Sequence, residues 1–126
     1  MYIIVDDERM PTDITWVRLP KTLPNNQSWQ VCRSYNGFVK LLESLKDGEV
    51  PTLISFDHDL GHVPNEGERE RTGLSCARAM LCIAQDKHWP HLPKILVHSQ
   101  NPVGKKNIEG TIKSGEKWIG GGTSVR

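Results

Sequence analysis

The sequence predicts an α/β domain built on a parallel sheet, and three observations support this prediction. Short runs of apolar and β-branched residues occur at positions 2–5, 52–56 and 94–98. Helix-length segments separate the runs, which is the arrangement of βαβ units with right-handed crossovers. Polar residues follow each run directly, as expected where parallel strands leave the core. We therefore expect a sheet of four to five parallel strands that is covered on both faces.

Length and charge limit the class of protein. The chain has 126 residues, enough for a single core, and we predict one domain over residues 1–119 followed by a flexible tail over 120–126. Sixteen lysines and arginines against fifteen aspartates and glutamates leave a net charge of +1, so no global attraction to nucleic acid or to an anionic membrane is expected. The N-terminus resembles neither a signal peptide nor a membrane span, so we expect a cytoplasmic protein with no membrane partner.

The three cysteines give no sign of a disulfide framework or a zinc site. They are odd in number and lack CxxC spacing. We expect free thiols, and we expect Cys76 and Cys82, which fall on a predicted helix, to be small core residues.

The first half of the chain begins with a strand and a long irregular stretch. The strand covers positions 2–5 and ends in acid. Several prolines then interrupt residues 10–28, which predicts irregular structure there. A stretch of this length is usually functional or mobile, and Trp16 and Leu19 are candidates to anchor it over the sheet edge.

The next elements are a second strand and the clearest helix of the chain. Residues 29–33 alternate weakly in polarity and indicate a strand. Ser34 is a suitable N-cap for a helix with an apolar stripe, and Gly48 is predicted to end that helix.

The second half continues the alternation of strand and helix. The central strand covers 52–56, and the polar loop over 62–71 is expected to be solvated and to act as a lid if it moves. Thr72 is predicted to cap the second helix, and Pro102 to begin the last one after the strand at 94–98. A final edge strand is predicted at 117–119.

Polar side chains follow each of the three buried runs. Because parallel strands end at the same edge of a sheet, and ligands of open α/β sheets bind at that edge, we expect these side chains to form one site. They are Asp6 and Asp7 after the first run, Asp57, His58 and Asp59 after the second, and His98, Ser99 and Asn101 after the third.

The gathered carboxylates predict a divalent cation. Two or three acids at one edge repel one another unless positive charge lies among them, and hard oxygen ligands suit Mg²⁺ or Mn²⁺. Asp6, Asp7 and Asp57 are the expected ligands. At the end of the first strand a structural alternative stays open, because Asp6 also suits a turn and Arg9 also suits a surface ion pair.

The neighbouring polar groups favour a phosphate as the ligand. His98 is placed to act as a general acid or base, and Ser99 and Asn101 to donate to a phosphoryl oxygen. The amides that open the helix after Thr72 add positive partial charge, and Lys105 is either plain helix surface or a phosphate contact. Two roles stay open for His58. It either joins Asp57 and Asp59 in catalysis or only packs against the protein, because its side chain points to the face opposite Asp57 if the strand continues.

Four motifs resemble a known family. They are Asp6-Asp7-Glu8-Arg9-Met10-Pro11, Ser55-Phe56-Asp57-His58-Asp59-Leu60-Gly61, Thr72-Gly73 and His98-Ser99-Gln100-Asn101-Pro102-Val103-Gly104. With acids after the first strand and an aspartate after the third, the chain resembles the receiver fold of two-component signalling. No lysine follows the weak fifth strand, which argues against ordinary phosphorelay. The closer resemblance is to the cyclic-phosphate processing receiver domain.

The resemblance implies both a fold and a function. The fold is a three-layer, receiver-like (flavodoxin-like) domain. The function is that of a stand-alone domain of bacteria or their phages that acts on cyclic phosphate ends of nucleic acid or on cyclic nucleotides, so the expected partner is a phosphate-containing ligand. Arg9, Thr72, Asn101 and Lys105 are its candidate contacts.

Three functions are therefore compatible with the sequence. The first is a metal-dependent phosphoesterase, a hydrolase in which Asp57, His58, Asp59, His98 and Ser99 carry out the chemistry. The second is a non-catalytic module, which binds a phosphorylated ligand or, through the loop of residues 10–28, a partner protein in phage and host conflict. The third is an aspartyl-phosphate switch at Asp57.

Overall fold

A computed structural model describes residues 1–62 and 64–119. Within them lie four strands, β1 (Tyr2–Val5), β2 (Trp29–Cys32), β3 (Leu53–Phe56) and β4 (Lys94–Val97), and three α-helices, α1 (Tyr35–Glu43), α2 (Gly73–Asp86) and α3 (Pro102–Gly115). Short 3-10 turns cover Pro11–Asp13, Pro24–Asn26 and Glu116–Trp118. The tail predicted at 120–126 lies outside the described residues. Among the described residues, each helix is too short or too polar to span a lipid bilayer.

The four strands form one parallel sheet in the order β2-β1-β3-β4. Val5 lies opposite Phe56, and Phe56 lies opposite Val97, so β1, β3 and β4 end at the same level. The two central strands are the most buried, which explains why they read as nearly continuous apolar runs in the sequence. The predicted α/β fold with a parallel sheet is confirmed.

All three helices pack on one face of the sheet. Side chains of a strand alternate between faces, so Ile3 and Val5 belong to the helix-side core while Ile4 points to the opposite face. Phe38 of α1 meets Phe56 of β3 edge to face, with ring centroids 5.5 Å apart. Such aromatic pairs add to the burial that holds a helix on its sheet.

The segment of residues 10–28 covers the other face and forms the third layer. Ile14 and Leu19 are buried there beside Ile4. The segment is fixed by hydrogen bonds to its own carbonyls, such as Trp29 Nε1 to Pro20 O at 3.1 Å. Its prolines exclude an ordinary helix, so this face is closed by an irregular chain that buries a few large side chains.

The first helix begins as predicted and ends earlier. Ser34 Oγ accepts a hydrogen bond from the amide of Gly37 at 3.1 Å, which confirms the cap. The helix ends at Glu43, well before Gly48. At Ser44 the backbone amide bonds to the carbonyl three residues earlier, Leu41 O, and the Ser44 hydroxyl donates to the same oxygen at 2.6 Å. Gly48 has a positive φ of 75° and serves the turn that leads to β3.

Two sequence expectations about the second half are wrong. The edge strand expected at 117–119 is a 3-10 turn over Glu116–Trp118 that continues from α3, and Ile119 is buried against the helix-side core without pairing to the sheet. A segment of three residues with only two apolar side chains is too short to distinguish a strand from a turn. Cys82 is exposed, whereas Cys76 is buried as expected. Burial raises the pKa of the Cys76 thiol to about 12, consistent with a packing role.

Candidate functional site

The site begins where the hydrogen-bond ladder of the sheet runs one residue past its strands. Asp6 N donates to Cys32 O at 3.1 Å, Asp57 N donates to Val5 O at 2.9 Å, and His98 N donates to Phe56 O at 3.0 Å. These bonds fix the three residues side by side at the carboxyl edge of the sheet. Their backbone positions therefore follow from the strand register and not from a flexible loop.

Asp6 is completely buried and its carboxylate is hydrogen-bonded at both oxygens. Oδ1 accepts from the amides of Glu8 at 2.9 Å and Arg9 at 2.8 Å, and Oδ2 lies 2.9 Å from His98 Nε2. Burial by itself raises the pKa of this carboxyl. The amide bonds from Arg9 and Glu8, together with His98, outweigh burial and hold the pKa of Asp6 below its usual range. Asp6 is therefore ionised at neutral pH.

His98 is also completely buried, and both of its ring nitrogens have partners within the protein. Nδ1 lies 2.7 Å from Ser55 Oγ, and Nε2 faces Asp6. Burial lowers the pKa of the imidazole and outweighs the opposite effect of Asp6. The neutral ring then donates from Nε2 to the ionised Asp6 and accepts from the Ser55 hydroxyl at Nδ1. This arrangement suits orientation of Asp6, because neither nitrogen is left for a ligand.

Asp57 is the second buried carboxylate. Its Oδ1 accepts from the amide of His58 at 2.8 Å, and its Oδ2 lies 3.7 Å from a guanidinium nitrogen of Arg9. Burial, together with the negative charge of Asp6, raises the pKa of Asp57. The two acids thus repel each other across a space in which Arg9 is the nearby positive charge.

A polar pocket with a volume of about 460 Å³ opens above these acids. Gly61 has a positive φ of 63°, and a Cβ built on it would lie 2.7 Å from Asp7 Oδ2. A glycine at this position therefore leaves room for the Asp7 carboxylate in the pocket. The lining residues are Asp7, Glu8, Arg9, Asp57, Asp59, Gly61, Gln100 and Asn101.

Asp59 stands at the rim of this pocket with its side chain 65 % exposed. Its Oδ1 lies 3.2 Å from His58 Nδ1, and its Oδ2 accepts from Asn101 Nδ2 at 3.4 Å. Asn101 also caps α3 through Oδ1, which accepts from Gly104 N at 3.0 Å. The carboxylate is therefore oriented from both sides while it stays open to solvent.

Besides the buried Asp6 and His98, four sequence candidates do not line the pocket. Ser99 is buried and its hydroxyl accepts from the amide of Asn101 at 3.1 Å. His58 packs its ring against Gly104, where any larger residue would overlap it. Thr72 lies in a groove beside Tyr35 at the start of α2, and Lys105 lies in the first turn of α3.

The acidic residues fit a hard divalent cation. Asp6, Asp57 and His98 each offer a ligand atom, and these three atoms lie within 4.8 Å of one another. The His98 nitrogen is occupied by its bond to Asp6, which leaves carboxylate oxygens as the free donors. Asp7 adds a third carboxylate from the pocket wall. An oxygen-only set of this kind is the donor chemistry that Mg²⁺ and Mn²⁺ prefer.

Sequence reasoning missed several residues of the site. Ser55 could have been identified from the sequence. A hydroxyl inside a buried and otherwise apolar strand needs a hydrogen-bond partner, and here that partner is His98. The bond from Trp16 Nε1 to His98 O at 2.7 Å agrees with the expectation that Trp16 anchors its segment over the sheet edge, but the identity of its partner had no sequence signal, since the two residues are 82 positions apart. Glu8 and Gln100 reach the pocket only through the local turns of the chain.

Comparison with known proteins gives one family. The family model described as "Cyclic-phosphate processing Receiver domain" matches residues 1–114 and so includes every residue that lines the pocket. No match was found among curated proteins or among solved structures.

Proposed function

This chain belongs to the family of cyclic-phosphate processing receiver domains, and from that premise we propose that its pocket hydrolyses a cyclic phosphate at the end of a nucleic acid or in a cyclic nucleotide, with Mg²⁺ or Mn²⁺ bound. The observation that carries the proposal is the row of Asp6 and Asp57 beneath an open polar pocket, with Asp7, Arg9 and Asp59 on its walls. Carboxylates for a cation and a guanidinium for an anion are the two groups that a metal-dependent phosphoesterase needs.

The reaction that we propose is addition of water to the phosphorus of a 2′,3′-cyclic phosphate. A water oxygen forms a bond to phosphorus, and one of the two ring P–O bonds breaks. The water loses a proton, and the departing ribose oxygen gains one. The product is a phosphomonoester beside a free hydroxyl group.

The residues divide between binding the charges and moving the protons. Asp6, Asp7 and Asp57 are the proposed metal ligands, and the bound cation would offset the negative charge of the phosphoryl oxygens. Arg9 is the proposed phosphate contact, because a guanidinium matches phosphate with two parallel hydrogen bonds.

Asp59 is the proposed proton acceptor for the attacking water, because it is exposed and is oriented by His58 and Asn101. His98 is proposed as a positioning residue for Asp6 in place of the proton transfer expected from the sequence. Its two nitrogens are already bonded to Ser55 and Asp6.

The test is turnover of an oligonucleotide that ends in a 2′,3′-cyclic phosphate. The wild-type protein, Asp57→Asn and Asp59→Asn are incubated with the oligonucleotide and Mg²⁺ or Mn²⁺, and the ends are separated by electrophoresis. We expect the wild type to yield a phosphomonoester end, and each variant to lose about 100-fold or more in rate, the usual contribution of a general base or a charge-stabilising group.

Asp86→Asn is the matched control. It removes an exposed carboxylate at the far end of α2, roughly 20 Å from the pocket along a helix of this length, and it should keep the wild-type rate. Absence of turnover with either metal would refute the hydrolase.

A second candidate is a binding module without catalysis. The segment of residues 10–28 leaves Met10 45 % exposed and Trp16 39 % exposed, so it presents apolar surface close to Arg9 of the pocket. Such a surface favours a protein partner that contacts the pocket and the segment together. Calorimetric binding of a nucleotide or of 2′,3′-cyclic AMP without any product would favour this candidate over the enzyme.

A further inference from the structure

Arg9 occupies the space between the two buried acids. One of its guanidinium nitrogens lies 3.5 Å from Asp6 Oδ2 and 3.7 Å from Asp57 Oδ2. A divalent cation held by the same oxygens lies at about 2.0–2.6 Å from each of them. A cation there would be in contact with the guanidinium, and two positive charges in contact repel strongly in a partly buried site.

Most other acceptor positions of the two carboxylates are already used. Asp6 Oδ1 accepts from two backbone amides, and Asp6 Oδ2 faces His98 on one side. Asp57 Oδ1 accepts from the amide of His58. A carboxylate has about four acceptor positions, so one position on Asp57 Oδ1 stays free, and the free positions on the two Oδ2 atoms are the ones that Arg9 faces. A metal bound to Oδ2 of both acids would need the place of the guanidinium.

The guanidinium is held loosely enough to leave. Both of its distances to the acids exceed the range of a good hydrogen bond. Its side chain is 35 % exposed, and its Cζ lies 5.2 Å from the centroid of the Trp16 ring. Rotation of this long side chain away from the acids carries the charge into the pocket, where Gln100 and Asn101 form the other wall.

We propose that Arg9 is an internal counter-ion that exchanges with the divalent cation, and that the released guanidinium then binds the phosphate of the ligand. This inference rests on the proposed function. Metal binding and phosphate binding are therefore positively coupled through Arg9. By linkage, each ligand raises the affinity of the protein for the other by the same factor.

The test compares Arg9→Gln with the wild-type protein in two titrations. The first follows free Mn²⁺ by electron paramagnetic resonance without phosphate. The second follows binding of inorganic phosphate by calorimetry at saturating Mn²⁺. We expect Arg9→Gln to bind Mn²⁺ about tenfold more tightly and phosphate about tenfold more weakly than the wild type, the size of one charge-assisted hydrogen bond.

Two further variants make the result specific. Arg78→Gln removes an exposed arginine of α2 and should keep both wild-type affinities, which corrects for the change in net charge. Arg9→Lys keeps the positive charge and should keep the weak wild-type affinity for Mn²⁺. The affinity of Arg9→Lys for phosphate should fall, because an ammonium cannot form the bidentate hydrogen bonds of a guanidinium.

The outcomes separate this inference from the function on which it rests. If the wild type binds Mn²⁺ and phosphate while Arg9→Gln binds Mn²⁺ no more tightly, or both affinities fall together, the exchange is overturned and the metal site stands. If Arg9→Lys binds Mn²⁺ as tightly as Arg9→Gln, the counter-ion role is overturned. If no protein of the set binds either ligand, the proposed function fails and the exchange fails with it.

Discussion

At the scale of single residues, burial decides what His98 and Asp57 contribute. His98 is held neutral between Ser55 and Asp6, and burial lowers its pKa. Asp57 is ionised only against the combined effect of burial and the charge of Asp6, which raise its pKa. The same neighbourhood therefore favours the uncharged form of both groups, and each shift has a consequence for stability.

His98 makes the folded protein sensitive to moderate acid. The unfolded chain takes up a proton near the ordinary histidine pKa of about 6.5, whereas the folded chain resists protonation to lower pH. The stability from this residue is complete above about pH 6.5 and is lost as the pH falls below it. Urea unfolding between pH 7.5 and 5 should show a smaller loss in His98→Gln than in the wild type.

His91→Gln is the matched control for this comparison, because His91 is exposed and should keep the wild-type pH dependence. The lowered pKa of Asp6 affects the stability of the protein only at more acidic pH, because that carboxyl stays ionised in the folded chain over the range of this experiment. An undiminished loss of stability in His98→Gln would contradict the neutral, buried imidazole.

Asp57→Asn should stabilise the metal-free protein. Because the folded-state pKa of Asp57 is raised, its ionisation costs stability at neutral pH, and an amide of the same shape removes that cost. We expect a gain on the order of 1 kcal/mol, the usual size of a single-site change, seen as a higher midpoint in thermal unfolding. Asp59→Asn, at an exposed carboxylate, should leave the midpoint unchanged, and a lower midpoint for Asp57→Asn would refute the argument.

At the scale of elements, the start of α2 holds the central strand end in place. Gly73 N donates to His58 O at 2.7 Å, and any side chain at Gly73 would overlap the carbonyl of Asp57. Gly73→Ala should therefore cost about 1–3 kcal/mol of stability and weaken Mn²⁺ binding, because Asp57 must move. Unfolding by urea and Mn²⁺ titration of the same sample measure the two effects.

Gly110→Ala provides the comparison within another helix. Apart from the backbone of α3 itself, no atom lies within 4 Å of a Cβ at that position, so the substitution should gain up to about 1 kcal/mol from helix propensity and keep the metal affinity. Equal losses in both variants would show that the close approach of α2 to Asp57 is unimportant.

The elements were predictable to different degrees. Buried runs such as β1 and β3 are mostly apolar, and Ser34 is a strong cap, so these features can be predicted from the sequence. The end of α1 at Glu43 depends on a hydroxyl bond made by Ser44, and the turn over Glu116–Trp118 depends on the burial of Ile119. Both are decided by packing and local bonds that periodicity does not contain.

At the scale of the whole molecule, the irregular segment of residues 10–28 is a structural layer. Ile14 of this segment is fully buried against Ile4 of the sheet, so Ile14→Ala should cost about 2–5 kcal/mol in urea unfolding. Val103→Ala, at a side chain that is 69 % exposed, should change stability by less than about 0.5 kcal/mol. A small change in the free energy of unfolding for Ile14→Ala would mean that packing of this segment on the second face of the sheet contributes little to stability.

The meeting of acids at one sheet edge was predictable because topology alone requires it. Asp6, Asp57 and His98 each follow a parallel strand, and the register places them in one row. The direction of each side chain was not predictable. His98 faces Ser55 and Asp6, and Arg9 reaches back between the acids, through contacts between residues distant in the sequence or around a tight turn.

The central claim is that the carboxylates at this sheet edge bind a divalent cation, and anomalous X-ray scattering from crystals grown with Mn²⁺ tests it most directly. We expect an anomalous peak within coordination distance of the Asp57 carboxylate and at least one of Asp6 and Asp7, with the Arg9 guanidinium displaced from between the acids. A map with no peak in the pocket at saturating Mn²⁺, or a peak bound only by exposed acids elsewhere, would contradict it.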